Sequence, residues 1–488
     1  MKEKKAYLIL SIAFTLLQLI ATVVFMVELH TVNVLPVRYK VMIGVILGLF
    51  VLITAITQRW KVPGVVTKVL GLLLSAVLII GCVYINITYS ALSKLSGATT
   101  KTTTINVYVL EESEAESIAD LLDGNFGIMG EVDREYTDEA IAEIEEEYSV
   151  TLQLTEYTSI IDLASALYNG EVDAIFLNKS SVGVLTEIDG FGDFESRTRI
   201  LLSHEKTEEI EISTDDEEDS SLLHCEDDHI LALYVSGVDV EGSPAENRNS
   251  DVNILCFINK TTHQILLLNT PRDYYLTVDW DGGVPDKLTH AGCKGVDCSV
   301  STLQNFYGVK IDGYVKVNFS GFRQIIDSLG GITVWSEYEF TSYHGGYYFN
   351  YGYNTMNGDQ ALCFCRERYA FGTGDNQRGK NQMEVIKAVI KKMESSDMLL
   401  NYNSVLDSVS SSMITSLTYD EITELVQYQI DEMPSWDILT YAVTGHGGED
   451  WCTTQGYSNY VMYPDEDSVA QAIAYLEQFY ADETVVLN

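Results

Sequence analysis

Three long apolar stretches open the chain, and shorter periodic runs fill the rest. Ala6 to Val27 and Val41 to Thr57 carry no charged residue, and Val65 to Tyr89 is interrupted only by Lys68. A bilayer core needs about 20 apolar residues per helix, with a range near 17–25, so residues 1–90 are expected to form a membrane anchor of three transmembrane helices. A signal peptide is the rival reading of the first stretch. It fails because no small-residue cleavage site follows and two further spans do. Lys2, Lys4 and Lys5 precede the first span, and Arg59, Lys61 and Lys68 lie between the second and third. This bias puts the N-terminus in the cytoplasm and everything after Tyr89 outside the cell membrane.

Beyond the anchor, residues 91–104 read as a Ser/Thr/Gly-rich linker, 105–228 as a small α/β accessory domain with an acidic linker, and 229–488 as a larger α/β domain. In the accessory domain, apolar runs predict strands at Ile105–Leu110, Val150–Leu154 and Val172–Leu177. Helical periods predict helices at Glu112–Leu122, Asp138–Tyr148 and Ser159–Tyr168. The acidic run Thr214–Asp219 marks the boundary. In the larger domain, Ile230–Ser236 predicts a strand. Val252–Ile258 and Gln264–Asn269 predict a hairpin around Asn-Lys-Thr-Thr-His. Helix, strand, helix and strand follow at Val300–Tyr307, Gly313–Val317, Phe319–Leu329 and Ile332–Ser336. Further helices are expected at Asn381–Glu394, Ser404–Met413, Asp420–Asp431 and Asp467–Tyr480.

Thirty Lys and Arg against 71 Asp and Glu give a net charge of −41. Nucleic acid is thereby excluded as a partner, because its phosphates would be repelled. A generally basic, lipid-binding surface is excluded too. Any anion site must be a local cluster of bases within an acidic field. Of the outer cysteines, Cys293 and Cys298 could close a small disulfide, although a reduced pair is an equal reading. Cys363 and Cys365 stand at strand spacing and read as small core residues. A metal centre of cysteine and histidine finds no CxxC pair to support it, and His290 stands without an assignable Asp or Cys partner.

The arginines are placed more tellingly. Arg248 precedes a predicted strand, Arg272 follows one, Arg366 and Arg368 sit in Cys365-Arg-Glu-Arg368, and Arg378 follows Asp375 by three residues. Guanidinium groups grip phosphate oxygens with two prongs and stay charged at any working pH. Their convergence would make a phosphate or pyrophosphate site; singly, each could pair with a surface acid. Asp239 ends a strand and Asp251 begins the next. They could hold Mg²⁺, which takes one or two carboxylates plus phosphate oxygens. Equally, Asp239 could cap a turn and Asp251 pair with Arg248. No P-loop, GxSxG or HExxH is present.

Ser236-Gly-Val-Asp239, Arg248-Asn-Ser-Asp251, Asn269-Thr-Pro-Arg-Asp273 and Asp286-Lys-Leu-Thr-His290 resemble the LytR-CpsA-Psr family, here abbreviated LCP. So do Ile311-Asp-Gly-Tyr314, Asn318-Phe-Ser-Gly-Phe322, Asp327-Ser-Leu-Gly-Gly331, Asn357-Gly-Asp-Gln-Ala-Leu362, Arg366-Glu-Arg368, Asp375-Asn-Gln-Arg378 and Asn381-Gln382. Three spans plus an extra α/β domain resemble its CpsA-type subgroup from capsule-producing Gram-positive bacteria. The resemblance implies a central mixed sheet flanked by helices and a phosphotransferase activity. A glycopolymer, capsule or teichoic-acid-like, would pass from a polyprenyl-pyrophosphate carrier to peptidoglycan. It further implies Mg²⁺ at Asp239 and Asp251, with Arg272, Arg366, Arg368 and Arg378 on the pyrophosphate. Asp375 becomes the candidate base, and Arg248, Asp273, Lys287 and Gln382 further substrate contacts. The lipid chain would lie in an apolar groove lined partly by the Phe319–Leu329 helix. Two departures stand out, Cys363-Phe-Cys365 before the Arg-x-Arg and Thr289-His-Ala-Gly292 after Lys287. A lipid-pyrophosphate hydrolase and a non-enzymatic glycan-binding or regulatory module are the competing classes.

Overall fold

The computed structural model describes residues 2–97, 100–186, 188–210, 222–224, 229–238, 245–280, 282–372, 374–394 and 397–487. The chain forms two compact units. The first contains helices α1 (Lys2–Val32), α2 (Val37–Thr57) and α3 (Lys61–Leu95), together with the later helix Tyr419–Glu432. All three N-terminal helices are long and apolar enough to cross a membrane, which makes the chain membrane-anchored. Their outward faces are rows of exposed Ile, Leu and Val, the reverse of a water-soluble helix. Helix Tyr419–Glu432 joins this unit through Tyr419. Its hydroxyl donates to the Val32 carbonyl at 2.5 Å, and its ring meets Tyr89 edge-on at 5.6 Å.

The second unit holds two sheets. The smaller uses β1 (Thr100–Leu110), β2 (Asn125–Met129), β3 (Gln153–Tyr157), β4 (Ala174–Asn178) and β5 (Thr198–Glu209), in the order β3-β2-β4-β1-β5. Helices α4 (Arg134–Tyr148), α5 (Ile160–Asn169), α6 (Lys179–Thr186) and α7 (Phe194–Arg197) accompany it. Ile105 to Val109 are all buried, because α4 covers one face of β1 and α5 with α7 the other. Two expectations change here. Helix α3 runs to Leu95 and β1 begins at Thr100, since Thr100–Thr104 pair with the charged end of β5; the segment read as linker shrinks accordingly. The helix expected at Glu112–Leu122 is only a 3₁₀ turn, Ile118–Leu121, closed by a Ser117–Asp120 capping box.

The larger sheet runs β16-β11-β6-β7-β8-β17. Its members are β6 (Ile230–Val238), β7 (Ser250–Asn259), β8 (Gln264–Asn269), β11 (Gly313–Asn318), β16 (Met413–Thr415) and β17 (Asp437–Ala442), reached in chain order through β9 (Tyr275–Val278), β10 (Val284–Lys287) and the short ribbons β12 (Ile332–Ser336), β13 (Phe340–Thr341), β14 (Tyr348–Phe349) and β15 (Gly352–Met356). Strands β7 and β8 form the predicted hairpin, while β6 and β11 are parallel. Between these lie α8 (Leu288–Lys294), α9 (Val296–Tyr307), α10 (Phe319–Ser328), α11 (Gly358–Arg366) and α12 (Asp375–Met393), while α13 (Asp397–Ser412) belongs almost wholly to the first unit. Helix α14 (Tyr419–Glu432) is the one already described, and α15 (Glu466–Tyr480) closes the fold after the β18 (Gly445–Cys452)–β19 (Tyr457–Pro464) ribbon.

One face of this sheet is a dense apolar core. Tyr234, Leu255, Phe257 and Leu268 pack there against Val300, Leu303 and Tyr307 of α9 and Leu476 and Phe479 of α15. At roughly 25 cal/mol per Å² of apolar surface, this burial holds the sheet in place. The opposite face supports α10, α11 and α12, and the site lies between them and the strands. The two sheets are tied by ion pairs, Lys101 to Asp297 at 2.7 Å and Lys294 to Asp133 at 2.7 Å, and by Cys293, whose side chain joins the accessory core.

Candidate functional site

A cleft of about 190 Å³ opens between the larger sheet and helices α10 to α12. Val235 and Gly237 of β6, Val252 of β7 and Val317 of β11 form an apolar floor. Phe319 and Phe322 of α10, Leu362 and Cys365 of α11 and Ile386 of α12 form its walls. Asp251, Arg272, Arg366, Arg368, Arg378 and Gln382 line it too, so four arginines meet one carboxylate. An apolar groove lined by the Phe319–Leu329 helix and its sheet is therefore present.

Local structure explains how these side chains come together. Strand β7 carries one extra residue opposite β6: Val238 pairs with Ser250 and Gly237 with Val252, leaving Asp251 as a bulge. Bulges re-aim side chains, and this one turns Asp251 and Val252 together toward the cleft. Arg272 follows Pro271 in a tight turn, where Tyr274 N–H donates to the Pro271 carbonyl at 3.1 Å. On α12, Arg378, Gln382 and Ile386 recur every four residues and share one face. That helix lies close on the sheet end because position 379 is glycine; a Cβ there would collide with the Asn269 side chain. Gln382 Nε2 donates to the Cys365 carbonyl at 3.4 Å and so ties α12 to the end of α11, where Arg366 sits.

The charges are closely matched in space. Arg272 Nη1 meets Asp251 Oδ1 at 2.6 Å, and Arg378 Nη2 meets Asp375 Oδ1 at 2.5 Å. The Arg366 guanidinium lies over the Phe319 ring at 4.6 Å. Burial alone would favour protonation of Asp251, but Arg272, Arg378 and Arg366 outweigh it and hold the carboxyl below the usual range. Asp375 behaves oppositely. Burial pushes its carboxyl above the usual range, and the neighbouring Asp273 and Asp251 add to the rise against the pull of Arg378 and Arg272. Two carboxylates beside the same arginines are thus shifted in opposite directions, Asp251 toward the anion and Asp375 toward the protonated form.

Other expected residues fall elsewhere. Asp239 lies outside the described residues. Arg248 is not among the residues lining the cleft. It lies in the loop before β7 and pairs with Glu246 at 3.2 Å, beside Lys179. Asp251 accordingly pairs with Arg272 and not with Arg248. Asp273 lies next to the cleft, 3.9 Å from Arg272 and 3.4 Å from Lys287. His290 does have partners: its Nδ1 lies 2.5 Å from Asp286 Oδ1, and Cys452 completes a buried trio within 4.8 Å. The Asp286 oxygens also accept from the backbone N–H groups of Lys287 and Thr454, both at 2.7 Å, so the trio staples the β18–β19 ribbon to α8. Cys293 and Cys298 are both free. Cys293 donates to Asn249 Oδ1 at 2.8 Å while Cys298 packs under Val278 and Ala291, so the two thiols serve different cores. Cys363 and Cys365 lie on a helix, not a strand; two positions apart they diverge, and Cys365 is buried while Cys363 is half-buried. The cleft also contains His344 and Tyr369, which sequence reasoning missed. The signal was the density of tyrosines between Tyr338 and Tyr369.

A family profile for the LytR_cpsA_psr family matches residues 198–475. A second profile, described as a DNA polymerase processivity factor, matches residues 62–177, a span that begins inside α3. The polyisoprenyl-teichoic acid–peptidoglycan teichoic acid transferase TagU of Bacillus anthracis is 32% identical over 221 residues, covering 45% of this chain and 71% of that protein. Its namesake from Oceanobacillus iheyensis is 31% identical over 259 residues, covering 52% and 77%. The solved structure of B. subtilis TagV covers 52% of this chain and 98% of its own at 26% identity, with a TM-score of 0.43. More than half of the chain matches the first profile, and the chain belongs to the LytR_cpsA_psr family.

Proposed function

We propose that the chain is a phosphotransferase that moves a glycopolymer from a polyprenyl-pyrophosphate carrier to peptidoglycan, on the outer side of the membrane that its three helices anchor it to. One observation carries this reading: four arginines and Asp251 line a cleft that has an apolar floor and apolar walls, with Asp375 held beside it on Arg378. An apolar wall suits a prenyl chain, and the arginines suit the pyrophosphate at its end. The relatives whose names specify polyisoprenyl-teichoic acid and peptidoglycan support the same substrates.

In this reaction a sugar hydroxyl of peptidoglycan attacks the phosphorus that bears the glycan. The bond from that phosphorus to the bridging oxygen breaks, and polyprenyl monophosphate leaves. A new phosphodiester joins glycan to peptidoglycan, and Asp375 takes the hydroxyl proton. Arg272, Arg366, Arg368 and Arg378 orient the pyrophosphate and meet the charge that grows on the leaving group. Magnesium is the implied cofactor. Asp251 fits it: the carboxylate lines the cleft, is kept anionic, and would share the ion with phosphate oxygens, with Asp239 as the second carboxylate. Bound there, the ion would neutralise charge on the leaving phosphate.

The test is incubation of the full chain in detergent with a synthetic prenyl-pyrophosphate glycan and peptidoglycan oligomers, followed by mass analysis. A phosphodiester-linked product that disappears on chelation is expected. Free glycan phosphate alone would identify a hydrolase, and donor binding without any product would identify a binding module. An impermeant thiol label reaching an engineered cysteine at Ser96 but not at Val62 in intact cells is the matching test of orientation; the opposite pattern would overturn it.

A further inference from the structure

Beside the arginines stands a set of exposed aromatic rings that the transfer chemistry does not use. Tyr343 is 72% exposed and Tyr369 is 62% exposed, although an aromatic ring gains most from burial. Tyr369 and His344 line the cleft. The Tyr343 ring packs on both, 4.9 Å from Tyr369 and 5.3 Å from His344.

These rings are held still by buried groups. Glu367, between Arg366 and Arg368, is only 1% exposed. Its carboxylate accepts from Tyr343 N–H at 2.5 Å on one side and from Ala370 N–H at 2.9 Å on the other. One carboxylate therefore joins the loop after β13 to the loop after α11 and sets the two tyrosines side by side. The buried hydroxyl of Ser342 donates to the His344 carbonyl at 2.7 Å and accepts from Tyr347 N–H at 3.0 Å, which pins the β13–β14 loop. Arg368 Nη2 donates to the Tyr369 hydroxyl at 2.8 Å, so a cleft arginine orients the ring. Ordering two loops costs conformational entropy, which the hydrogen bonds of Glu367 and Ser342 offset before any ligand arrives, so the rings are pre-organised for binding.

We propose that Tyr343 and Tyr369, positioned by Glu367, form a stacking platform for the sugar ring that adjoins the pyrophosphate of the lipid-linked donor. This rests on the pyrophosphate reading of the arginine cleft. The donor fits for three reasons. The platform is continuous with the arginines through Arg368 and Tyr369, so the first sugar beyond the pyrophosphate must pass it. A pyranose face is a row of C–H bonds with slight positive charge, which suits the negative face of an aromatic ring. Tyrosine adds a hydroxyl for sugar oxygens and little conformational freedom to lose.

The test compares two probes on the full chain in detergent by calorimetry: farnesyl pyrophosphate, and farnesyl pyrophosphate bearing N-acetylglucosamine. Wild type should bind the sugar-bearing probe about tenfold more tightly, the worth of a well-made stack. Tyr343→Ala/Tyr369→Ala should erase that increment, so that the two probes bind the variant alike. Tyr353→Ala removes an exposed ring that does not line the cleft, and it should keep the increment. No increment in wild type, or an increment that survives in the double variant, overturns the platform. Equal loss for both probes in the double variant overturns it as well, because the rings would then serve the pyrophosphate or the fold. Failure of wild type to bind farnesyl pyrophosphate defeats the cleft reading instead, and is read separately from the increment.

Discussion

The two faces of the β6–β11 pair both bury positive charge, and they do so in opposite ways. Val317 points into the cleft with the arginines, while its neighbour Lys316 points to the other side, as successive strand residues must. Lys316 is 4% exposed and donates to the Glu246 carbonyl at 2.6 Å. Burial pushes its ammonium down to about 8, so this charge can be shed. Guanidinium groups cannot shed theirs. Across the sheet four of them line one cleft, where Arg272 pairs with Asp251 and Arg378 with Asp375. The lysine can turn neutral where it is buried; the buried arginines stay charged and keep carboxylates beside them.

Three variants test that contrast. Asp375→Asn should have the largest effect. Donor affinity should stay near wild type while turnover falls about 100-fold or more, the usual worth of a general base. Because burial holds Asp375 up, the wild-type rate should climb with pH through a midpoint above the ordinary aspartate value of about 3.9, and this limb should vanish in Asp375→Asn. Equal loss of affinity and rate would make Asp375 a partner that only orients Arg378. Arg272→Ala comes next. Losing one charge-assisted pair costs roughly 1.5–3 kcal/mol, so transfer should fall at least about tenfold with secondary structure retained, and normal activity would remove Arg272 from the site.

Lys316→Met should have the smallest effect on transfer, namely none. Its signature is in stability. Lys316 has a folded pKa lowered to about 8 against about 10.4 unfolded, so the unfolded chain holds the proton more tightly. Stability therefore rises as pH is raised from about 8 toward 10, by up to about 3 kcal/mol. The unfolding temperature of wild type should gain on that of Lys316→Met across this window. Parallel curves would show that Lys316 is not desolvated, and a loss of transfer would show that the two faces are not independent.

Much of this architecture was readable one element at a time. The three spans, the β7–β8 hairpin and helices α10, α12 and α15 each declare themselves by local periodicity, and α10 also by its Gly330-Gly331 stop. Arg272, Arg366, Arg368 and Arg378 stood out because bases are scarce in so acidic a chain. Strand β5 did not, because its alternation of Glu, Lys and Thr gains its partner only from β1. The β18–β19 ribbon did not either, since its Gly and Tyr positions are ordered by pairing and not by any intrinsic preference.

The chain's own sequence determined which segments are apolar enough for a membrane, which runs become helices, and which charges can never be neutralised, because these depend on residues within a few positions of each other. Tertiary structure alone decided the rest. It chose Arg272 over Arg248 for Asp251 through a one-residue bulge, and gave His290 its partners Asp286 and Cys452. It drove the pKa values of Asp251 and Asp375 apart. Each of these depends on burial and on distances between residues remote in the chain. Both arise only when the sheet packs, since desolvation and charge–charge energies vary steeply over a few ångströms in a medium that excludes water.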